Sequence, residues 1–359
     1  MFNFFNTFRS ESYLGVDIGT TSIKIVEIAK GKMKPELQNY GILESYGHLE
    51  RVNDAIQTSS LKITENETSN LLKVLLEQSK FKTSEAIVSI PSFAAFISLL
   101  EVPQMSDTEI SNTMKYQLGQ YIPIPATEVM IDWLKVGERQ DDQGFIKEEI
   151  LLISIPKETI NKYRMIFKRA NLNLVAVEIE SLGLIRSADL QSDAPTLIVD
   201  IGARSTNIVA VDHKAIKYNF QTDFAAANLT QVLASGLGVN IKRAEKLKKE
   251  KGLLSTEGSD LSTLMIPFLD AILNEVKRVQ TKYEQSFGNK IEQIILSGGG
   301  AKLLGIEKYC ESQFNIPTAV SNPFSKVSYS PAMEPVVRSL GSSFAVSIGL
   351  GIREFVNNS

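Results

Sequence analysis

Apolar and polar residues along this chain fall into two nearly repeated passages. Tyr13-Leu-Gly-Val-Asp-Ile-Gly-Thr-Thr-Ser-Ile-Lys-Ile-Val-Glu27 reads as an apolar strand, an Asp-Ile-Gly corner with hydroxyl residues after it, and a second apolar strand. Leu197-Ile-Val-Asp-Ile-Gly-Ala-Arg-Ser-Thr-Asn-Ile-Val-Ala210 is an imperfect second copy. A third loop, Ser297-Gly-Gly-Gly-Ala301, follows the apolar run Ile294-Ile-Leu296. Two such hairpins in one chain predict two similar halves facing one bound polyphosphate.

Elsewhere the period switches between two and that of a helix. The first β-rich stretch continues to about Glu44, and Thr64-x-x-Glu67 is a capping box before a helix with Leu71, Leu72, Leu75 and Leu76 on one face. A strand at Glu85–Ile90 stops at Pro91. Residues 92–155 read as an inserted module with a strand at Ala95–Leu100 and a second capping box at Ser106-x-x-Glu109. Its helix carries Ile110, Met114, Leu118 and Tyr121 on one face, ends before Pro123 and Pro125, and precedes strands near Val129–Val136 and Glu148–Ile155. The polar stretch Glu138–Gly144 is the loop between those two strands. A helix at Glu158–Ala170, a strand at Leu174–Glu178 and a further helix lead to a boundary near Ser192-Asp-Ala-Pro195. Helices follow the second hairpin at Ala225–Ser235, Ile241–Lys251 and Ser262–Phe287. A last helix, Leu340–Phe355, is expected to return to the first half. The alternation predicts an α/β fold. Its first lobe is 1–91 with 156–192 and 337–359, its insert 92–155 and its second lobe 193–336.

Phosphate oxygens need close-packed donors, and glycine lets backbone amides approach where a Cβ would collide. Gly19 and Gly202 suit that role, with Thr20, Thr21, Ser205 and Thr206 adding donors and Lys24 reaching back as a point charge. Asp17 and Asp200 face each other across the expected cleft and would hold magnesium through its bound waters. Gly298, Gly299 and Gly300 offer bare backbone to a flat ligand. Glu245 and Lys248, three apart on a helix, either hydrogen-bond a ribose and base or form an ordinary surface ion pair. Glu180, at a helix start between the lobes, either orients a water near a terminal phosphate or simply suits the helix dipole.

Net charge is −3, which argues against nucleic acid as a partner, and the lysines at 246, 248, 249 and 251 read as one solvated helix face. A lone cysteine, Cys310, excludes an internal disulfide and fits a reducing compartment. No apolar run reaches the roughly 18 residues of a membrane span. The opening Met1–Phe8 lacks the basic flank of a signal peptide and reads as a frayed strand or a small membrane-surface contact, the strand being favoured. A soluble, cytoplasmic protein is expected. No Gly-x-x-x-x-Gly-Lys-Ser/Thr loop, clustered histidines or Ser/His/Asp set is present.

These three loops, in this order, resemble the actin-like ATPase superfamily, which includes actin, sugar kinases and the 70-kDa heat-shock chaperones. The resemblance implies two lobes with ribonuclease-H-like cores binding ATP or ADP with Mg2+. Asp17–Lys24 and Asp200–Thr206 would be the phosphate segments, Glu180 would lie on a connecting helix and Ser297–Ala301 would be the adenosine segment. Within the insert, Ser89-Ile-Pro-Ser92, Gln120-Tyr-Ile-Pro-Ile-Pro125 and Ile131-Asp-Trp133 are similar to the PilM family of type IV pilus assembly. So are the tail passages Asn322–Pro331 and Phe344–Gly351. The insert would replace actin's small subdomain, as in FtsA. The resemblance further implies a cytoplasmic protein held at the inner face of the membrane by the N-terminal cytoplasmic tail of a PilN-type membrane protein. That tail would lie in a groove built from Ala95, Phe96, Met114, Leu118 and Tyr121. Pilus motor ATPases and self-association are further partners that the resemblance suggests, and the expected catalysis is at most a slow ATPase.

Two departures stand out. Arg204 occupies a position in the second phosphate loop where the family carries a small residue, and Ala225-Ala226 replaces a Gly-Gly pair. Both add side chain near a nucleotide; Arg204 either points outward or takes a metal's place as counter-charge. Two other functions use the same frame. A small-molecule kinase needs a polar substrate pocket, which the apolar insert does not suggest. An FtsA-like division protein is disfavoured because no linker or amphipathic helix is read before Asn357-Asn-Ser359.

Overall fold

The computed structural model describes residues 2–3, 10–44, 65–121, 124–140, 143–190, 193–254 and 260–356. Thr64, Pro123 and part of the 138–144 loop lie outside them, as do the side chains of Leu118 and Tyr121.

The chain opens with β1 (Phe2–Asn3), β2 (Ser12–Ile18), β3 (Ser22–Ala29), β4 (Glu36–Glu44), α1 (Glu65–Ser79) and β5 (Glu85–Ile90). The insert follows as β6 (Phe96–Pro103), α2 (Asp107–Tyr121), β7 (Val129–Gln140) and β8 (Ile146–Pro156). The first lobe resumes with α3 (Lys157–Arg169), β9 (Asn173–Ile179) and α4 (Glu180–Ser187). Next come β10 (Thr196–Ile201), β11 (Thr206–Asp212), β12 (Ala215–Thr222), α5 (Ala226–Leu237), α6 (Ile241–Lys251) and α7 (Asp260–Phe287). The chain continues through β13 (Gln293–Ser297), α8 (Ile306–Phe314), β14 (Thr318–Val320), α9 (Glu334–Leu340) and α10 (Ala345–Gly351).

The repeated hairpins seed two sheets of one topology. The first runs β4-β3-β2-β5-β9, with β1 added beyond β9, and the second runs β12-β11-β10-β13-β14. In each, the hairpin strands pair antiparallel, and the next two strands join in parallel through helical crossovers. Phe2 pairs with Val177, so residues 2–3 are a strand.

The insert is a three-stranded antiparallel sheet, β6-β8-β7, under α2. Its capping box forms as the spacing predicts. Ser106 N donates to Glu109 Oε2 at 2.8 Å, and Glu109 N donates to Ser106 Oγ at 3.4 Å. Strand β8 lacks the alternation of a half-exposed strand because both its faces are covered. Ile150 and Leu152 pack with Leu100, Val102, Ile110 and Met114, while Leu151, Ile153 and Ile155 enter a core shared by both lobes. Met114, expected to line a partner groove, is 1% exposed and spent on the insert's own core. The insert also grips the second lobe. The buried Lys217 ammonium on β12 pairs with Glu149 and donates to the Val136 carbonyl at 3.0 Å.

The return to the first lobe begins earlier than the expected boundary at 336. Phe324 and Val327 already pack with Val26, Ile28 and Leu37, and Leu37 N donates to Ser328 O at 2.8 Å. Helices α4 and α10 meet backbone to backbone, since a Cβ on Gly349 would overlap the Gly183 carbonyl. Gly15 of β2 is likewise pressed on the Ser347 carbonyl of α10. The buried Glu178 carboxylate clamps this crossing. It accepts from Arg186 at 3.0 and 3.2 Å and from Arg353 Nε at 2.6 Å.

Candidate functional site

Each Asp-Ile-Gly corner is closed by one backbone bond, Gly19 N to Ser22 O at 3.0 Å and Gly202 N to Ser205 O at 2.9 Å. A Cβ at Gly202 would sit 2.7 Å from the Ser205 carbonyl oxygen, which is why that turn needs glycine. The two corners face each other. Asp17, Gly19, Thr20, Thr21 and Lys24 from the first line a cleft of about 770 Å³ with Asp200, Gly202 and Ser205 from the second. Glu180 at the head of α4, Glu245 and Lys248 on α6, and Gly298, Gly299 and Gly300 after β13 complete its walls.

Thr206 is not among them. Side chains alternate along a strand, and Thr206 opens β11 on the phase opposite Ser205. It is fully buried, and its hydroxyl donates to the Phe224 carbonyl at 2.7 Å, bracing the approach to α5 instead of facing a ligand. Arg204 is exposed and stands on the cleft wall. Ala225 is 1% exposed, and the first amides of α5 are already engaged, Ala226 N with Gly202 O at 3.1 Å and Ala227 N with Ala203 O at 2.9 Å. This helix start therefore braces the second corner.

Charge in the cleft is unbalanced. Lys24 Nζ lies 3.0 Å from Asp17 Oδ2. Burial works against the ammonium, but Asp17, Asp200 and Glu180 outweigh it and hold its pKa above the ordinary lysine value. Burial and then Asp17 push Asp200 up to about 6. Burial and then Asp200 push Glu180 up to about 8. The carboxyl groups of Asp17, Asp200 and Glu180 thus share this end of the cleft with the Lys24 ammonium. Among the described residues no group of three or more acidic, histidine or cysteine side chains is gathered as direct metal ligands.

At the other end Glu245 and Lys248 do form an ion pair, at 2.7 Å, but on the cleft wall. Thr230 Oγ1 donates to Glu245 Oε2 at 2.6 Å, and Lys248 Nζ reaches the Ala226 carbonyl at 3.1 Å. Burial opposes the Glu245 carboxylate, yet Lys248 and Thr230 outweigh it and its pKa lies below the usual range. Gly298 has φ +81°, and a Cβ there would meet Ile201 O at 2.6 Å. At Gly299 a Cβ would find nothing nearer than Ser343 Oγ at 4.0 Å, so bare backbone faces open cleft. This donor set and flat glycine wall fit a nucleotide.

Sequence reasoning missed Asn207 and Lys302. Asn207 lines the cleft, and its buried Oδ1 meets no hydrogen-bond donor among the described residues. Register holds its signal: in the hairpin Asn207 pairs across from Asp200 as Lys24 pairs across from Asp17. Lys302 lines the cleft and donates to Ser339 O at 2.6 Å; burial and then Lys249 and Lys24 lower its pKa.

Comparison with known proteins follows the same lines. The chain is similar to the cell division protein FtsA of Enterococcus hirae, 22% identical over 86% of this chain and 77% of that one. Among solved structures it is similar to a PilM-PilN type IV pilus biogenesis complex, with TM-score 0.81 and 20% identity over 96% of this chain and 99% of that chain. It is also similar to MreB5 of Spiroplasma citri bound to AMPPNP, with TM-score 0.56 and 13% identity over 97% of both. These likenesses speak for the fold, which is that of the actin-like ATPases. A family model described as type IV pilus assembly protein PilM matches residues 15–355. The chain belongs to the PilM family of type IV pilus assembly proteins.

Proposed function

We propose that this chain is an ATP-binding scaffold and switch of the type IV pilus inner-membrane assembly platform, tethered there by the cytoplasmic tail of a PilN-type membrane protein. The observation that carries the nucleotide reading is the meeting of Gly19–Thr21, Gly202–Ser205 and Gly298–Gly300 in one cleft. An anionic polyphosphate entering beside Asp17, Asp200 and Glu180 needs a cation with it, so Mg2+ is expected to accompany the nucleotide, its waters held by Asp17 and Asp200. Glu180 is the group placed to orient a water, and hydrolysis is expected to be slow. Binding energy alone orders two lobes without turnover.

The tether reading rests on family membership and on the insert's sheet. Strand β6 is an edge strand, so among the described residues its outer backbone has no sheet partner, and Ala95 and Phe96 at its start are half-buried. An extended peptide gains main-chain hydrogen bonds from such an edge. Among the described residues no helix is long and apolar enough to cross a membrane, so attachment through a partner is the natural arrangement.

Calorimetric titration tests both parts. The protein should bind ATP with magnesium and, separately, a synthetic PilN-type tail peptide. Gly299→Trp should fold, since the position opens onto the cleft, keep the peptide and lose ATP by filling the base site. Unchanged ATP affinity in the folded variant would remove the adenosine-loop assignment; absence of peptide binding would remove the tether.

A further inference from the structure

Strands β3 and β4 touch the cleft at one end only, where Ser22 and Glu44 pair across the hairpin and both line it. At the other end, roughly 20 Å away at about 3.3 Å per residue, Ala29 pairs with Glu36. The turn that joins the strands there is Lys30-Gly-Lys-Met-Lys-Pro35. Lys30, Lys32 and Lys34 are exposed, and Met33 among them is 98% exposed. The turn is nonetheless braced. Lys30 N donates to Glu11 O at 3.0 Å, Ser328 N to Pro35 O at 2.9 Å, and Lys34 Nζ to Ser325 O at 2.9 Å. Gly31 lies so close to the Lys34 carbonyl that a Cβ would overlap it, so the closure needs glycine.

A second basic turn lies alongside, between α1 and β5. Its Lys80 and Lys82 are exposed, and Lys82 N donates to Glu27 Oε2 of β3 at 3.2 Å. Asn39 of β4 holds the end of α1 by donating to the Ser79 carbonyl at 2.7 Å. Five lysines from two fixed turns thus gather at the pole opposite the cleft. Among the described residues none of the five ammonium groups meets a carboxylate. The exposed carboxylates on the same stretches are Glu11, Glu36 and Glu77. The chain as a whole carries −3, so the positive excess is local.

The chemistry of this pole suits a broad anionic surface with an apolar layer behind it. Lysine stems can lie along apolar matter while their ammonium groups stay among phosphates. Each basic residue beside an anionic leaflet strengthens attachment by about fivefold. A bare thioether set among lysines gains by leaving water at the headgroup boundary, whereas an acidic peptide would leave it wet. We propose that the β3–β4 turn, with Lys80 and Lys82 beside it, rests directly on the anionic lipids of the inner membrane leaflet, Met33 entering the headgroup boundary. The inference rests on the function proposed above for its place at the membrane, and it adds a lipid contact made by this chain itself. Two weak attachments, to a tail peptide and to lipid, raise each other's effective concentration. The contact also turns the cleft away from the bilayer.

The test is co-sedimentation of the purified chain, without any PilN-type peptide, with vesicles of phosphatidylcholine alone and of an equal mixture with phosphatidylglycerol. The wild type should bind the mixed vesicles, leave the neutral ones, and be released by high salt. Replacing Lys30, Lys32 and Lys34 together by Gln should lower binding by about 100-fold. The same charge change at Lys277, Lys290 and Lys308, exposed lysines of the second lobe, should leave it as in wild type. Met33→Ser should weaken it severalfold. If the triple variant does not fold because Lys34 loses its hold on Ser325, Lys32→Glu must lower binding by about 25-fold instead. Equal losses in the two triple variants, equal binding to neutral vesicles, or no binding to mixed ones overturns the inference. So does capture of polyglutamate without capture of mixed vesicles, which would assign the turn to an acidic protein. Calorimetry of ATP and of the tail peptide on the turn variants should match wild type, so a failure at the vesicles leaves the proposed function standing.

Discussion

The two glycine corners share a backbone but not a charge state. In the first, Asp17 pairs across the hairpin with Lys24 and meets its ammonium at 3.0 Å. In the second, Asp200 pairs across with Asn207, a neutral amide, and its pKa is pushed up to about 6 by burial and Asp17. One corner arrives with its counter-charge built in, and the other lacks one. On the function proposed above, the second lobe is expected to be the half whose electrostatics change when a cation-bearing ligand enters, with the first as a preset anchor.

Removing the built-in charge should have the largest effect. Lys24→Met leaves Asp17 half-buried without its partner and takes away the ammonium that Asp17 holds at the phosphate end. ATP affinity should drop by about 100-fold, read by calorimetry, with a lowered melting temperature. A loss of under threefold would show that the first corner does not anchor the phosphates.

Giving the second corner what the first has is the sharper experiment. Asn207→Lys places an ammonium opposite Asp200. The ratio of ATP affinities with magnesium and with chelator should shrink by about tenfold, because part of the cation's role is then filled. An unchanged ratio would mean that Asp200 does not set the metal requirement.

The smallest effect concerns stability of the ligand-free protein. Asp200 rises from 3.8 to about 6 on folding, so the folded state binds its proton more tightly than the unfolded chain. Stability from this group is whole below about pH 4 and is lost as pH climbs through 6. Asp200→Asn should flatten that decline, narrowing the melting-temperature gap between pH 5 and pH 8 by a few degrees. Asp17→Asn removes the neighbouring charge that helps to raise Asp200, so it should narrow the gap as well, but by less, because burial is the larger cause.

The sequence was most legible where local chemistry decides structure. The Asp-Ile-Gly corners, the Ser106–Glu109 capping box and α6 are all set by a few neighbouring residues, and they form where the pattern predicts. Legibility failed where phase or distance decides. Thr206 and Ser205 are both hydroxyl residues after a glycine, yet strand alternation sends one into the interior and the other to the cleft. Met114 carries the same apolar signal whether it faces a partner or its own sheet, and it faces its own sheet. The bond from Ser92 to Glu180 spans residues far apart in sequence, and no local pattern encodes it. Phe324 and Val327 reach the first lobe earlier than the boundary drawn from the helix pattern, because an aromatic in a loop carries no period.

The pressing of α10 against Gly15 has a consequence for the order of folding during synthesis. Strand β2 leaves the ribosome before the whole second lobe, but the helix that covers it follows that lobe in the chain. Phe344, Ile348 and Ile352 fill the gap beside Val26 and Ile28 that would otherwise stand open to water. The second lobe's sheet, by contrast, is drawn from one continuous passage between Thr196 and Val320. Chains usually mature from the first domain onward as they emerge. Here the half begun before the second lobe is completed after it, so its core stays open while that lobe is made.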